Sequence, residues 1–114
     1  MKENTGLYIL WTNDNPITAE KMVFMYAVNS IIHGWWEKVT IIVWGATAPL
    51  VSENTDIQKN IREALEKGVN IIACKACADQ LGVTEKLEKL GIEVDYTGGL
   101  LTNILKSKET LITV

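Results

Sequence analysis

Apolar residues in this chain fall into short unbroken runs, separated by longer stretches with a helical rhythm. Leu7-Tyr8-Ile9-Leu10-Trp11, Val39-Thr40-Ile41-Ile42-Val43-Trp44 and Val69-Asn70-Ile71-Ile72-Ala73 are rich in β-branched and aromatic side chains. Runs of this kind, with little alternation, read as strands covered on both faces of a parallel sheet. Ile92-Glu93-Val94-Asp95-Tyr96 reads as a fourth strand. Glu109-Thr110-Leu111-Ile112-Thr113-Val114 alternates polar and apolar, as an exposed or edge strand does.

The intervening segments read as helices. Pro16 stands at the threshold of a helix over Ile17 to His33, which Gly34 stops. Met22, Val23, Tyr26, Ala27, Ser30 and Ile31 take one face of it, and Phe24, Met25, Val28 and Ile32 take the others. A helix that is apolar nearly all round in a small domain needs cover on both sides, so part of it is expected in a subunit interface. Trp35 and Trp36, just beyond it, suit packing or interface anchors. Gly45 to Val51 reads as a loop or a short turn of helix. Thr55-Asp56-Ile57-Gln58 fits a capping box for a helix carrying Ile57, Ile61, Ala64 and Leu65, closed by Glu66-Lys67-Gly68. Helix formers run from Cys74 to Leu81 and stop at Gly82. Thr84 is placed to cap a short helix through Leu90, and Thr97-Gly98-Gly99 opens a last one, Leu100 to Lys106.

Strands alternating with helices imply right-handed crossovers. The expected architecture is therefore three-layer α/β/α, a mostly parallel sheet of about five strands with helices on both faces, forming one domain over residues 1–114. At 114 residues the chain is long enough to bury a core of its own. A composition of 47% hydrophobic and 22% charged residues is that of a globular protein. The net charge of −3 supplies no basic stripe for a nucleic acid, so none is expected as partner. The apolar runs end well short of the roughly 18 positions a membrane span needs. The segment Met1 to Gly6 lacks the features of a cleavable signal, which points to a cytoplasmic protein whose two cysteines are reduced thiols.

Ligands of open α/β sheets gather where strand carboxyl ends meet the following loops. That edge should collect Thr12 to Asn15, Gly45 to Ala48, Cys74 to Cys77 and Thr97 to Gly99. Cys74 stands where a strand ends and a helix begins, where exposed N–H groups and the helix dipole favour a thiolate. Cys77 makes a C-x-x-C with it, a spacing that lowers one thiol pKa in redox proteins, although a cysteine one turn into a helix is equally a small apolar filler. Lys75, beside Cys74, is placed either to stabilise a thiolate or to sit in solvent. Asn13 and Asp14 are candidate ligand contacts, as are Thr97, Gly98 and Gly99; loop polarity alone also accounts for the first two.

Several occupants of this architecture are excluded. There is no G-x-G-x-x-G after the first strand and no G-x-x-x-x-G-K-[ST]. Thr12-Asn13-Asp14-Asn15-Pro16 is a poor match to the Ser/Thr/Gly-rich phosphate loop of a flavodoxin. A receiver domain would need an aspartate where Cys74 stands. Two cysteines and one histidine distant in sequence do not make a zinc site, so no metal and no cofactor are expected. His33, in the last turn of its helix, is explained by the helix dipole. Trp11 and Trp44, ending the first two strands, suit either the wall of the cleft or the core.

The segment Gly68-Val69 to Cys74, followed by Ala76, Ala78 and Leu81-Gly82-Val83, resembles the active-cysteine segment of the DsrE/DsrF-like proteins. The resemblance extends along the whole chain in length, in the order of strands and helices, and in a late turn matching Thr97-Gly98-Gly99. It implies a sulfur-relay role, with sulfur carried as a persulfide on Cys74 and sulfurtransferase-type chemistry. It also implies assembly as a trimer or hexamer and the company of sulfur donor and acceptor proteins. Cys77 is not part of the family pattern. The competing readings are a non-catalytic ligand-binding or assembly module of the same fold, and a C-x-x-C redox sensor.

Overall fold

A computed structural model describes residues 5–114; the start of the segment in which a signal was sought, Met1 to Asn4, lies outside them. Five strands form the sheet: β1 (Gly6–Trp11), β2 (Lys38–Val43), β3 (Asn70–Cys74), β4 (Glu93–Asp95) and β5 (Thr110–Thr113). Their order is β4-β3-β2-β1-β5, and every pairing is parallel. The helices are α1 (Pro16–Thr18), a π-helical segment (Ala19–Phe24) continuing into α2 (Met25–Ile32), then α3 (Thr47–Glu53), α4 (Thr55–Glu66), α5 (Lys75–Leu81), α6 (Thr84–Lys89) and α7 (Gly98–Lys106).

Strand order dictates how the two faces are covered. From β1 to β4 the chain steps one way across the sheet, so three right-handed crossovers put α1 to α6 on one face. Only the return from β4 to β5 runs the other way, and it places α7 alone on the second face. The main core lies on the first face, where Leu7, Ile9, Trp11, Val39, Ile41, Val43, Ile71 and Ala73 meet Val23, Ala27, Ile57, Ile61, Ala64, Ala78 and Leu87. Ile42 and Ile104 are buried on the second face, outside that cluster. A nine-residue helix is roughly 13 Å long, while five strands span roughly 19 Å. The second face is therefore thinly covered, and Tyr8, Leu10, Ile72 and Leu111 on it are only half-buried.

The long first helix differs from its expected form. A π-helical turn shifts the inward face, so Ala19, Val23, Phe24, Ala27 and Ser30 all point to the core. Phe24 is buried against Trp11, ring centroids 5.3 Å apart, whereas Met22, grouped by constant pitch with Val23 and Ala27, is 36% exposed. The nearly all-round apolar pattern is what a helix with a changing face looks like when projected at a constant 3.6 residues per turn. Gly45 to Val51, expected as a loop or a short turn of helix, leads into α3 from Thr47, which runs on to Glu53 with Pro49 in its first turn where the missing N–H is harmless. The cap of α4 is Asn54, not Thr55: its Oδ1 accepts from the Ile57 N–H at 3.0 Å, and Gln58 turns back to the carbonyls of Val51 and Ser52. Thr84 does not cap α6 either; its hydroxyl donates to Asp79.

Candidate functional site

Cys74 is the last residue of β3 and the residue from which α5 departs. Alternation along β3 turns Ala73 into the main core and Cys74 toward the α7 side. Its neighbour across the ladder is Asp95 of β4, and Thr97, the residue at the head of α7, follows two positions later. Cys74 is 6% exposed, and Cys77 is the more open of the two.

Burial pushes the Cys74 thiol up, but hydrogen bonds to its charged form outweigh that and hold it below the ordinary cysteine value. The groups that would donate to the charged sulfur are the Thr97 hydroxyl, which has no partner while Cys74 is a thiol, the Cys77 N–H and thiol, and the Ala76 N–H. Cys77 moves the opposite way. Burial raises it, as do its hydrogen bond to Cys74 and the charge there, while the Gly45 backbone opposes. The fold thus brings Cys74, Cys77, Thr97 and the loop at Gly45 together, and the neutral thiol of Cys77 supports an ionised Cys74.

Other candidate residues lie elsewhere or are otherwise engaged. Lys75 pairs with Asp79 at 3.0 Å and lies 6.0 Å over the ring of Tyr96. The hydrogen bond to Asp79 raises the lysine, and Asp79 is held low by Thr84 and then by Lys75. Asn13 and Asp14 follow β1, two strands from Cys74 and so roughly 10 Å across the sheet. The Asn13 Oδ1 closes a turn by accepting from the Asn15 N–H at 2.9 Å, and Asn15 caps α1. Gly98 and Gly99 form the first turn of α7.

Trp11 is fully buried, so of the two alternatives it belongs to the core; Trp44 is half-buried. His33 stacks on Trp35 at 5.2 Å. Thr47 had no signal in the sequence. It is fully buried, donates to the Trp11 carbonyl at 2.8 Å and accepts from the Trp44 N–H at 3.1 Å, tying the ends of β1 and β2 together. Among the described residues no cluster of His, Cys, Asp and Glu could hold a metal ion, and no helix is long and apolar enough to cross a membrane.

Fold and site together define a small parallel α/β domain that presents a cysteine at the carboxyl edge of its third strand, under the head of the returning helix. The chain belongs to the DsrE/DsrF-like family, whose model matches residues 8–114. It is similar to the structure of a conserved protein of unknown function from Bacteroides thetaiotaomicron, at 43% identity and a TM-score of 0.96, covering 97% of this chain and 96% of that one. A protein of unknown function from Methanobacterium thermoautotrophicum shares the fold at 14% identity and a TM-score of 0.67, over 96% of this chain and 97% of that one. No curated protein matches the chain. Family membership suggests a role related to sulfur relay.

Proposed function

We propose that this protein carries sulfane sulfur on Cys74. The observation behind this reading is a thiol at the sheet's carboxyl edge, held below its ordinary pKa by donors from Thr97, Cys77 and Ala76, in a chain of this family. The Cys74 thiolate attacks the outer sulfur of a donor persulfide. A new S–S bond forms, the old one breaks, and the donor leaves as a thiolate with the bonding pair. An acceptor thiolate then attacks the same outer sulfur and returns Cys74 to its thiolate form. Cys77 offers a second exit. Its thiolate attacks the inner sulfur, a Cys74–Cys77 disulfide closes, and hydrosulfide departs; two electrons from a thiol reductant then restore the pair. The partners are therefore donor and acceptor proteins bearing thiols.

We further propose that the chain self-associates. Met22, Met25, Ile32 and Trp35 are 36%, 48%, 55% and 57% exposed along the outer side of the first long helix and its end. That is more apolar surface on one strip than solvent contact favours.

Intact-mass spectrometry after incubation with a persulfide donor tests the carrier. An added mass of about 32 Da, one sulfur, is expected on the wild type and on Cys77→Ser but not on Cys74→Ser. A wild type that takes up no sulfur overturns the proposal in favour of a ligand-binding module. A reversible loss of about 2 Da as the sole change favours a redox sensor.

A further inference from the structure

The hydroxyl of Thr97 is a polar group that the fold buries without a partner while Cys74 is neutral. Thr97 is 1% exposed, and its Oγ1 makes no hydrogen bond among the described residues. The buried hydroxyls of Thr47 and Ser52 both donate to carbonyls. Ser30, the other exception, belongs to α2 on the opposite face of the sheet. An orphaned buried hydroxyl is destabilising until something engages it, and the ionised or sulfur-loaded Cys74 side chain is the group at hand.

Thr97 also occupies the cap position of α7 without capping it, although threonine is a good cap. The first turn of a helix has no intrahelical partners for its N–H groups, so those of Gly98 and Gly99, both exposed, are open to solvent or to a ligand. These glycines have no explanation within the chain. Neither has a positive φ, and a Cβ on either would meet nothing within 4 Å. Two glycines in a helical turn weaken it, and here they leave the backbone open to close approach. The sulfur of Cys74 points to this side of the sheet, and its anionic form is favoured by the Thr97 hydroxyl.

We infer that the Thr97 hydroxyl and the open N–H groups of Gly98 and Gly99 form a cradle for the outer, anionic sulfur of a Cys74 persulfide, an inference that rests on the carrier reading. Sulfur loading adds one atom to the Cys74 side chain and moves the negative charge outward, toward the head of α7. The hydroxyl then donates to that charge, and the positive end of a nine-residue helix faces it.

The test uses Thr97→Val and Thr97→Ser in the full chain. Thiolate absorbance at ~240 nm followed against pH reads the first arm without any sulfur donor. Cys74 should titrate at higher pH in Thr97→Val and as in the wild type in Thr97→Ser. The second arm equilibrates each protein with a low-molecular-weight persulfide and its thiol at slightly acid pH, and intact mass gives the loaded fraction. The loaded-to-unloaded ratio should fall about tenfold in Thr97→Val, the worth of one hydrogen bond to a charged group, and recover in Thr97→Ser. At a pH where Cys74 is a neutral thiol, the thermal midpoint of Thr97→Val should equal or exceed that of the wild type, since an orphaned hydroxyl has been removed. Equal titration and loading in Thr97→Val and a wild type that does load would overturn the cradle and leave the carrier standing. A wild type that never loads overturns both. A Thr97→Ser protein that behaves like Thr97→Val overturns the assignment to the hydroxyl.

Discussion

The Cys77 thiol is placed to donate to an ionised Cys74 sulfur, and this contact adds to opposite shifts of the two cysteines. Cys74 is lowered first by Thr97 and then by Cys77 and Ala76; Cys77 is raised first by burial and then by Cys74. A thiolate is the reactive form, so a depressed pKa brings reactivity to lower pH. Alkylation of Cys74, followed peptide by peptide, should reach half its maximal rate below the pH of an ordinary cysteine, and that of Cys77 above it. In Cys77→Ala the donor is gone, and the Cys74 profile should move to higher pH. An unmoved profile would show that the backbone and Thr97 suffice.

Glycines at 91 and 99 should respond oppositely to alanine. Gly91 has a φ of +93°, and a Cβ there would meet the Leu65 Cδ1 at 3.1 Å. Gly91→Ala should cost about 1–2 kcal/mol in urea unfolding. Gly99 is helical, with open space at its Cβ position. Gly99→Ala should add about 0.5–1 kcal/mol. A destabilised Gly99→Ala protein would mean that the open space is needed by the fold itself.

Thr47→Val keeps the shape of a fully buried side chain while removing its hydroxyl. The Trp44 N–H then loses its 3.1 Å acceptor, and the Trp11 carbonyl loses its 2.8 Å donor. A loss of about 1–3 kcal/mol is expected in the same denaturation assay. Because Thr47 lies beside the Gly45 loop that touches Cys77, the alkylation rate of Cys77 should rise as well.

Self-association should be visible by sedimentation at micromolar concentration and should weaken in a Met25→Glu, Trp35→Ala double variant. Both side chains lie about half in solvent, so the single chain should stay folded. A wild type that sediments as a monomer would remove the assembly proposal without touching the sulfur chemistry.

Strands were the legible part of this sequence. Runs such as Leu7 to Trp11 and Val39 to Val43 are buried on one face and at least half-buried on the other, and such burial leaves a contiguous apolar signature. Turn chemistry was legible too where a left-handed residue is required, as at Gly82 after α5. The π-helical turn was hidden because patterning assumes one constant pitch. Asn54 was hidden because a Thr-x-x-Gln box fits one residue later just as well. In the site, a strand-end cysteine is visible from local order alone, whereas Thr97 comes over it only through the pairing of β3 with β4. The remoteness of Asn13 and Asp14 likewise depends on β2 lying between β1 and β3.

The neighbour that completes β1 arrives last. Leu7 pairs with Thr110 and Leu10 with Thr113, so the first described strand waits about a hundred residues for one of its two partners. Closing a loop of that length is entropically slow, and until it closes the Leu7 to Trp11 edge stays open to other chains. The late step in folding should therefore be the docking of α7 and β5 together. The head of α7 is fixed by that docking, so the setting of Thr97 beside Cys74 and the sealing of the sheet edge form in the same event.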